Sequence, residues 1–303
     1  MSGGAHIEEI LDLVPELRGA QSVSELAGGL TNTNYKVEAD GRAYVVRISA
    51  KDAGLLAIDR ENEYENTVAA AEAGVGAAVI AYLPEQGVLV LEFIEGQTQT
   101  AEDLRCGDRL DWVAAACRRL HRARRFRDDF NMFQIQPRYL RIVQERGFRL
   151  PERYLEFEPQ VRRIEEAMAV RDEGTVPCNN DLLAENFIDV GDGFRLIDYE
   201  YSGNNDACFE LGNVWSESNL SFEQLEELVA HYYGRPLANK VARARLWGLM
   251  SKYGWTLWAS IQDGVSNIDF DFWGWGIEKY ERAVAEFDGP DFERLLEDVQ
   301  RED

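Results

Sequence analysis

The sequence predicts an α+β fold in two lobes, a small β-rich one over residues 1–96 and a larger, mainly helical one over 97–303. Three observations predict it. The length, 303 residues, is about two domains at roughly 150 residues each. Two alternating segments, Tyr35-Lys36-Val37-Glu38-Ala39 and Tyr44-Val45-Val46-Arg47-Ile48, are joined across Asp40-Gly41, a strong hairpin signal. Past Gly96 the apolar pattern changes from alternation to helical stripes.

Taken in order, residues 7–17 read as a short amphipathic helix, followed by the loop Gly28-Gly29-Leu30-Thr31-Asn32-Thr33-Asn34. In the second hairpin strand Tyr44, Val46 and Ile48 share one face, leaving Val45 and Arg47 on the other. A helix is expected over 60–73, stopped at Gly74. The run 88–93 suits a buried strand, and Ile94-Glu95-Gly96 breaks it at the lobe boundary. Leu110, Val113, Cys117 and Leu120 mark a helix over 109–125. Further helices are expected over 138–169, 222–233, 242–262, 278–287 and 291–299. A cleft between two such lobes is a favoured place for a small-molecule site.

Composition narrows the function. The 32 basic and 55 acidic residues give a formal charge of −23, a surface that repels nucleic acid and anionic lipid. The best apolar run, 68–83, is interrupted by Glu72 and is too short to span a membrane. The N-terminus lacks the basic start and apolar stretch of a secretory signal, so a cytoplasmic protein is expected. Cys106, Cys117, Cys178 and Cys208 form no C-x-x-C pair, and His6, His121 and His231 have no zinc-protease spacing. No G-x-S-x-G elbow is present. Hydrolase chemistry of either kind has no support.

The densest polar signal runs from Asn179-Asn180-Asp181 through Asn186, across Gly191-Asp192-Gly193, to Ile197-Asp198-Tyr199-Glu200-Tyr201. A hairpin turn centred on Asp192 sets Asn186 opposite Asp198, with Cβ atoms about 5 Å apart. An amide oxygen and a carboxylate so placed can share one hard cation, Mg²⁺ on phosphate oxygens. Asp181 is then free to face the attacking group. Phosphoryl transfer asks for that set: a metal on the phosphates, a positive charge, and a carboxylate to orient and deprotonate the nucleophile. An Asp–Asn pair at a turn is on its own more often capping chemistry. The glycine loop and the distal Asp198 turn the balance towards catalysis.

These motifs resemble the choline/ethanolamine kinase family, within the wider protein-kinase-like and aminoglycoside phosphotransferase group. Gly28-Gly29-Leu30-Thr31-Asn32 is similar to its phosphate loop, Asn180-Asp181 through Asn186 to its catalytic loop, and Ile197-Asp198-Tyr199-Glu200-Tyr201-Ser202 to its metal-binding segment. Trp255 through Gln262, with Ile268-Asp269-Phe270, resembles its substrate-pocket helix and the turn after it. The resemblance implies a bilobal kinase-like fold that uses ATP and Mg²⁺. It implies Asp181 as catalytic base and Asn186 and Asp198 as metal ligands. Gly28, Gly29, Thr31, Asn32 and Arg47 would hold the nucleotide phosphates, with Glu63 (or Glu61) pairing Arg47, and the backbone from Glu92 to Ile94 would receive the adenine. Asn179 departs from the family, which usually has histidine there.

Six of the seven tryptophans lie in the last third of the chain. Positions resembling the family's acceptor cage are Tyr201, Glu217, Trp255, Trp258, Phe270 and Trp275. A quaternary ammonium donates no N–H bond and is recognised by aromatic faces, each contributing about 0.5–2 kcal/mol. Choline is therefore the expected acceptor, with ethanolamine, thiamine or an aminoglycoside as runners-up. The alternative from another class is a catalytically weak relative that only binds a quaternary ammonium, with Asn179 as the mark of decay.

Overall fold

The computed structural model describes residues 3–26, 29–49 and 53–302; Gly28 lies outside them. Helix α1 (Gly3–Leu13) and a 3₁₀ turn (Pro15–Leu17) replace the single helix expected over 7–17, because Pro15 offers no amide to continue it. Strands β1 (Ser22–Leu26), β2 (Asn32–Ala39) and β3 (Arg42–Ser49) follow, then α2 (Arg60–Glu72), β4 (Val79–Leu83) and β5 (Val88–Glu92). These five strands form one antiparallel sheet in the order β1-β2-β3-β5-β4.

The β2–β3 hairpin has Ala39 opposite Arg42, so its loop is Asp40-Gly41 alone. Both loop residues have positive φ, 50° and 74°, as the favoured two-residue turn requires. Tyr44, Val46 and Ile48 pack with Ile10, Leu17 and Val37 in the core of this lobe. Arg47 is thereby turned to the opposite face of the sheet, towards the cleft.

The chain then runs through β6 (Gln97–Thr98), α3 (Ala101–Leu104), α4 (Arg109–His121), α5 (Met132–Arg146) and α6 (Glu158–Ala169). The single helix expected over 138–169 is two helices. Gly147, at φ 65°, caps α5, and Pro151 lies beyond it. Strand β7 (Val176–Cys178) leads to the hairpin β8 (Phe187–Asp189) and β9 (Phe194–Leu196), then β10 (Gly203–Asn205) and α7 (Ala207–Glu217). The last helices are α8 (Phe222–Tyr233), α9 (Ala238–Val265), α10 (Phe272–Phe287) and α11 (Phe292–Asp298). Helix α9, 28 residues long, is buried on nearly every side between α5, α7 and α10 and forms the axis of the larger core. No helix among the described residues is long and apolar enough to cross a membrane.

Helix α2 has a distinctive place. Its surface carries no apolar stripe; Asn62 and Asn66 are buried and donate to the Ser202 carbonyl at 3.0 and 3.1 Å. Asn66 also donates to the Ser202 hydroxyl. Ala69 and Ala70 belong to the core of the larger lobe, so polar and apolar contacts alike tie α2 there.

Candidate active site

The β8–β9 hairpin differs by one residue from the register expected above. Phe187 pairs with Leu196 and Asp189 with Phe194, leaving a four-residue loop, Val190 to Gly193, in place of one centred on Asp192. Asn186 therefore faces Ile197, whose amide donates to the Asn186 carbonyl at 3.1 Å. The two expected ligands still converge, for another reason. Asp198 lies just past the strand at φ 64°, and this left-handed bend redirects its side chain into the cleft. Asn186 and Asp198 line the same two cavities.

Asp181 stands beside them. Asn186 Nδ2 donates to the Asp181 carbonyl at 2.7 Å, which turns the Asn186 oxygen outward with no hydrogen bond among the described residues. One free amide oxygen and one carboxylate form a donor set suited to a hard divalent cation. Burial and the nearby carboxylates of Asp198, Glu217 and Glu200 push the Asp181 carboxyl well above its usual range.

The loop bearing Asp181 is held from behind by residues not singled out in the sequence. Glu210 of α7, fully buried, accepts the Asn179 amide at 2.8 Å and the Asn180 amide at 2.9 Å. Asn213, one turn on, accepts the Leu182 amide at 2.7 Å. His121 lies against Glu210 and contacts Cys178, the three side chains forming one buried group, and Tyr232 bonds the other ring nitrogen of His121 at 2.7 Å. Asn179 makes three side-chain hydrogen bonds within the loop's surroundings. Its Nδ2 donates to the carbonyls of Ile197 (3.1 Å) and Asp198 (2.7 Å), while its Oδ1 accepts the Asp181 amide at 3.0 Å. It thus joins the segments that carry Asp181 and Asp198 directly. The sequence signal for Glu210 was a lone carboxylate within the apolar run 208–215.

Across the cleft Arg47 is buried and donates to Glu63 and Asp198, both at 2.8 Å. Burial opposes its charge, but Asp198, Glu63 and Glu200 outweigh this and keep the guanidinium protonated. Of the two candidate partners the pair is Glu63; Glu61 bonds Arg127 at 2.7 Å instead. Arg60, missed in the sequence, bridges Glu63 (2.6 Å), Glu200 (3.3 Å) and Asn32 (2.9 Å).

The glycine loop is folded tightly: a Cβ on Gly29 would lie 2.3 Å from the Asn32 carbonyl oxygen. Thr31 and Asn32 were expected to serve the nucleotide. Their side chains donate to Glu200, at 2.6 and 2.8 Å, and close the loop onto the larger lobe. Glu200 needs those partners, since burial and the neighbouring Asp198 and Glu63 raise its carboxyl to about 7. Gln262 of α9 completes the closure by donating to the Leu30 carbonyl at 3.0 Å.

Two cavities meet at this point. One, about 370 Å³, lies under the sheet between Val45, Leu89, Leu91, Glu92 to Ile94, Arg47 and Asp198. The amides of Glu92 and Phe93 are taken by Ala78 and Ala43, whereas that of Ile94 makes no hydrogen bond among the described residues. The other, about 460 Å³, is walled by Tyr201, Glu217, Trp255, Trp258, Phe270 and Trp275, so all six expected cage positions come together. Trp258 donates to the Tyr201 hydroxyl at 2.6 Å, and the Tyr201 and Trp255 rings meet edge-on at 5.0 Å. Gly29, Glu185, Asn186 and Asp198 border both cavities. Glu185 was not singled out in the sequence, although it directly precedes Asn186.

Such a fold, with two pockets meeting at a carboxylate cluster under a glycine loop, defines a kinase-like phosphotransferase with an alcohol acceptor. The family model for choline/ethanolamine kinase matches residues 23–233. A choline/ethanolamine kinase family protein from Mesorhizobium loti superposes with a TM-score of 0.85 at 30% identity, covering 97% of this chain and 99% of that one. Choline kinase LicA from Streptococcus pneumoniae gives 0.79 at 26% identity over 93% and 99%. Ethanolamine kinase 2 of Mus musculus is 26% identical over 285 residues, 84% of this chain and 73% of that protein. The chain belongs to the choline/ethanolamine kinase family.

Proposed function

We infer that the chain transfers the γ-phosphoryl group of ATP to the hydroxyl of choline, forming phosphocholine and ADP. One observation carries this reading: the sheet-side cavity and the aromatic cavity share Gly29, Asn186 and Asp198, with Asp181 opening on the aromatic side. ATP lies under the sheet, its adenine against the free Ile94 amide. The Arg47 Nη2, which bonds none of the described residues, reaches the phosphates as a fixed donor. The trimethylammonium head rests among Tyr201, Trp255, Trp258 and Trp275, which excludes water and directs the hydroxyl towards Asp181.

Asn186 and Asp198 would hold Mg²⁺, which when bound neutralises charge on the phosphate oxygens. Asp181 orients the hydroxyl and accepts its proton as the oxygen–phosphorus bond forms and the bond to ADP breaks. Its raised proton affinity suits it to that task. The cationic head of the acceptor restrains this rise by adding positive charge to a carboxylate-rich site.

A second acceptor, ethanolamine, is favoured by a different feature. Glu217 Oε1 is buried without a hydrogen-bond partner, and a primary ammonium could donate to it. Purified protein with labelled ATP and a panel of choline, ethanolamine, thiamine and an aminoglycoside distinguishes the acceptors; choline is expected to give the highest kcat/KM. Asp181→Ala should abolish turnover, by about 10³-fold or more, with nucleotide binding retained. Full activity in that variant would remove Asp181 from the chemistry.

A further inference from the structure

The wall of the aromatic cavity has a cation of its own behind it. Trp275 and Lys279 are four residues apart on α10 and share a face. The Lys279 ammonium lies 4.0 Å from the centroid of the Trp275 ring and forms an ion pair with Glu217 Oε2 at the end of α7. Both side chains are shielded from solvent, Lys279 at 6% and Glu217 at 4% exposed. Salt and water therefore screen their fields weakly.

Trp275 and Glu217 border the cavity, whereas Lys279 does not. The lysine acts on a bound molecule through those two groups. An acceptor cation needs the negative face of an aromatic ring and a nearby negative charge. Lys279 draws on both from the far side: it occupies the Trp275 π-system and cancels most of the Glu217 charge. It leaves one thing untouched, the free Glu217 Oε1, which still accepts a hydrogen bond. Lys252, the other buried lysine nearby, is seated on the Trp215 ring at 4.0 Å and does not take that oxygen.

We propose that Lys279 is a positioning residue that tempers the cage's preference for a quaternary head, shifting the choline-to-ethanolamine ratio towards an ammonium with N–H donors without reversing it. Resting on the amino-alcohol kinase reading, the proposal names the residue that tunes its specificity. A quaternary head has only the aromatic faces, weakened by the cation behind them. A primary ammonium loses the same field but recovers a hydrogen bond to Glu217 Oε1.

The test compares Lys279→Met, which keeps the stem and removes the charge, with Lys279→Arg, which keeps the charge. Steady-state kinetics are measured with choline and with ethanolamine. Thermal-shift titrations use tetramethylammonium and methylammonium, which lack a hydroxyl and need no turnover. In Lys279→Met the KM for choline is expected to fall about ten-fold and that for ethanolamine about three-fold or less, with kcat moving less than KM. The tetramethylammonium midpoint should fall in parallel, and Lys279→Arg should restore the original ratio. If the methionine variant does not fold, Lys279→Gln, still able to donate to Glu217, should show the same change in ratio. An unchanged choline-to-ethanolamine ratio, or an arginine variant that behaves like the methionine one, overturns the proposal. Failure of the unaltered protein to phosphorylate either amino alcohol would instead overturn the kinase reading, and the two ammonium probes would still decide the role of Lys279.

Discussion

Glu210→Gln is expected to cost the protein about 3–5 kcal/mol of stability and most of its activity. In the native carboxylate one oxygen accepts the Asn179 amide and the other the Asn180 amide, at 2.8 and 2.9 Å, in a fully buried position. Glutamine has a single accepting oxygen, so its NH₂ group must confront one of those two N–H donors. Hydrogen bonds to a charged acceptor contribute about 1.5–3 kcal/mol, and a buried donor left unpaired costs about 1–3. Against a total stability of about 5–15 kcal/mol, the loss is large but survivable. The same loop carries Asp181, so its displacement should lower kcat/KM by about 100-fold or more. Urea unfolding followed by circular dichroism gives the first quantity, and turnover of the variant below its unfolding midpoint gives the second. A variant within about 0.5 kcal/mol of the parent, with unchanged kcat, would show that the loop does not depend on Glu210.

Two further substitutions test the reasoning elsewhere. Asn179→His should lower stability and bring no gain in rate, because an imidazole cannot donate to Ile197 and Asp198 while accepting the Asp181 amide; a rise in kcat on restoring the family's histidine would contradict this. Lys252→Met should stabilise the fold below pH 7 and flatten its pH dependence. Burial lowers the Lys252 ammonium from 10.5 to about 7, so between those values the unfolded chain binds the extra proton and native stability rises with pH. The penalty is fully present below about 7 and vanishes above 10.5; chemical denaturation from pH 6 to 10 measures it, and a parent protein equally stable across that window would refute the assignment.

Local features were the most legible in the sequence. Asp40-Gly41 announced its hairpin because a two-residue turn admits few dipeptides. Phe222–Tyr233 follows the expected bounds because Ser221 and Gln224 cap it reciprocally and Gly234 ends it. The cage residues came from motif order, and the folded chain brings together six side chains spread from Tyr201 to Trp275. What the sequence concealed was long-range or depended on a single dihedral. The hairpin register hinged on whether the 190–193 loop has an odd or even number of residues, and the bend at Asp198 then restored a convergence that the register alone would have lost. Helix α7 was not expected, since behind its Asp206 cap the whole run from Cys208 to Ser216 is buried, Glu210, Asn213 and Ser216 included, so no polar residue marks an exposed face. Lys279 was invisible for a related reason: only the packing of α7 and α10 on α9 brings its charge to Glu217.

The attachment of α2 to the larger lobe decides which parts separate when the cleft widens. Glu63 is on the helix tied to Ser202 of the larger lobe, whereas Arg47 is on the sheet. Widening the cleft would therefore pull apart a nearly dry guanidinium–carboxylate contact, together with the Thr31 and Asn32 latch on Glu200. Those contacts hold the cleft shut as a set, so widening it has to break an ion pair and two side-chain hydrogen bonds together.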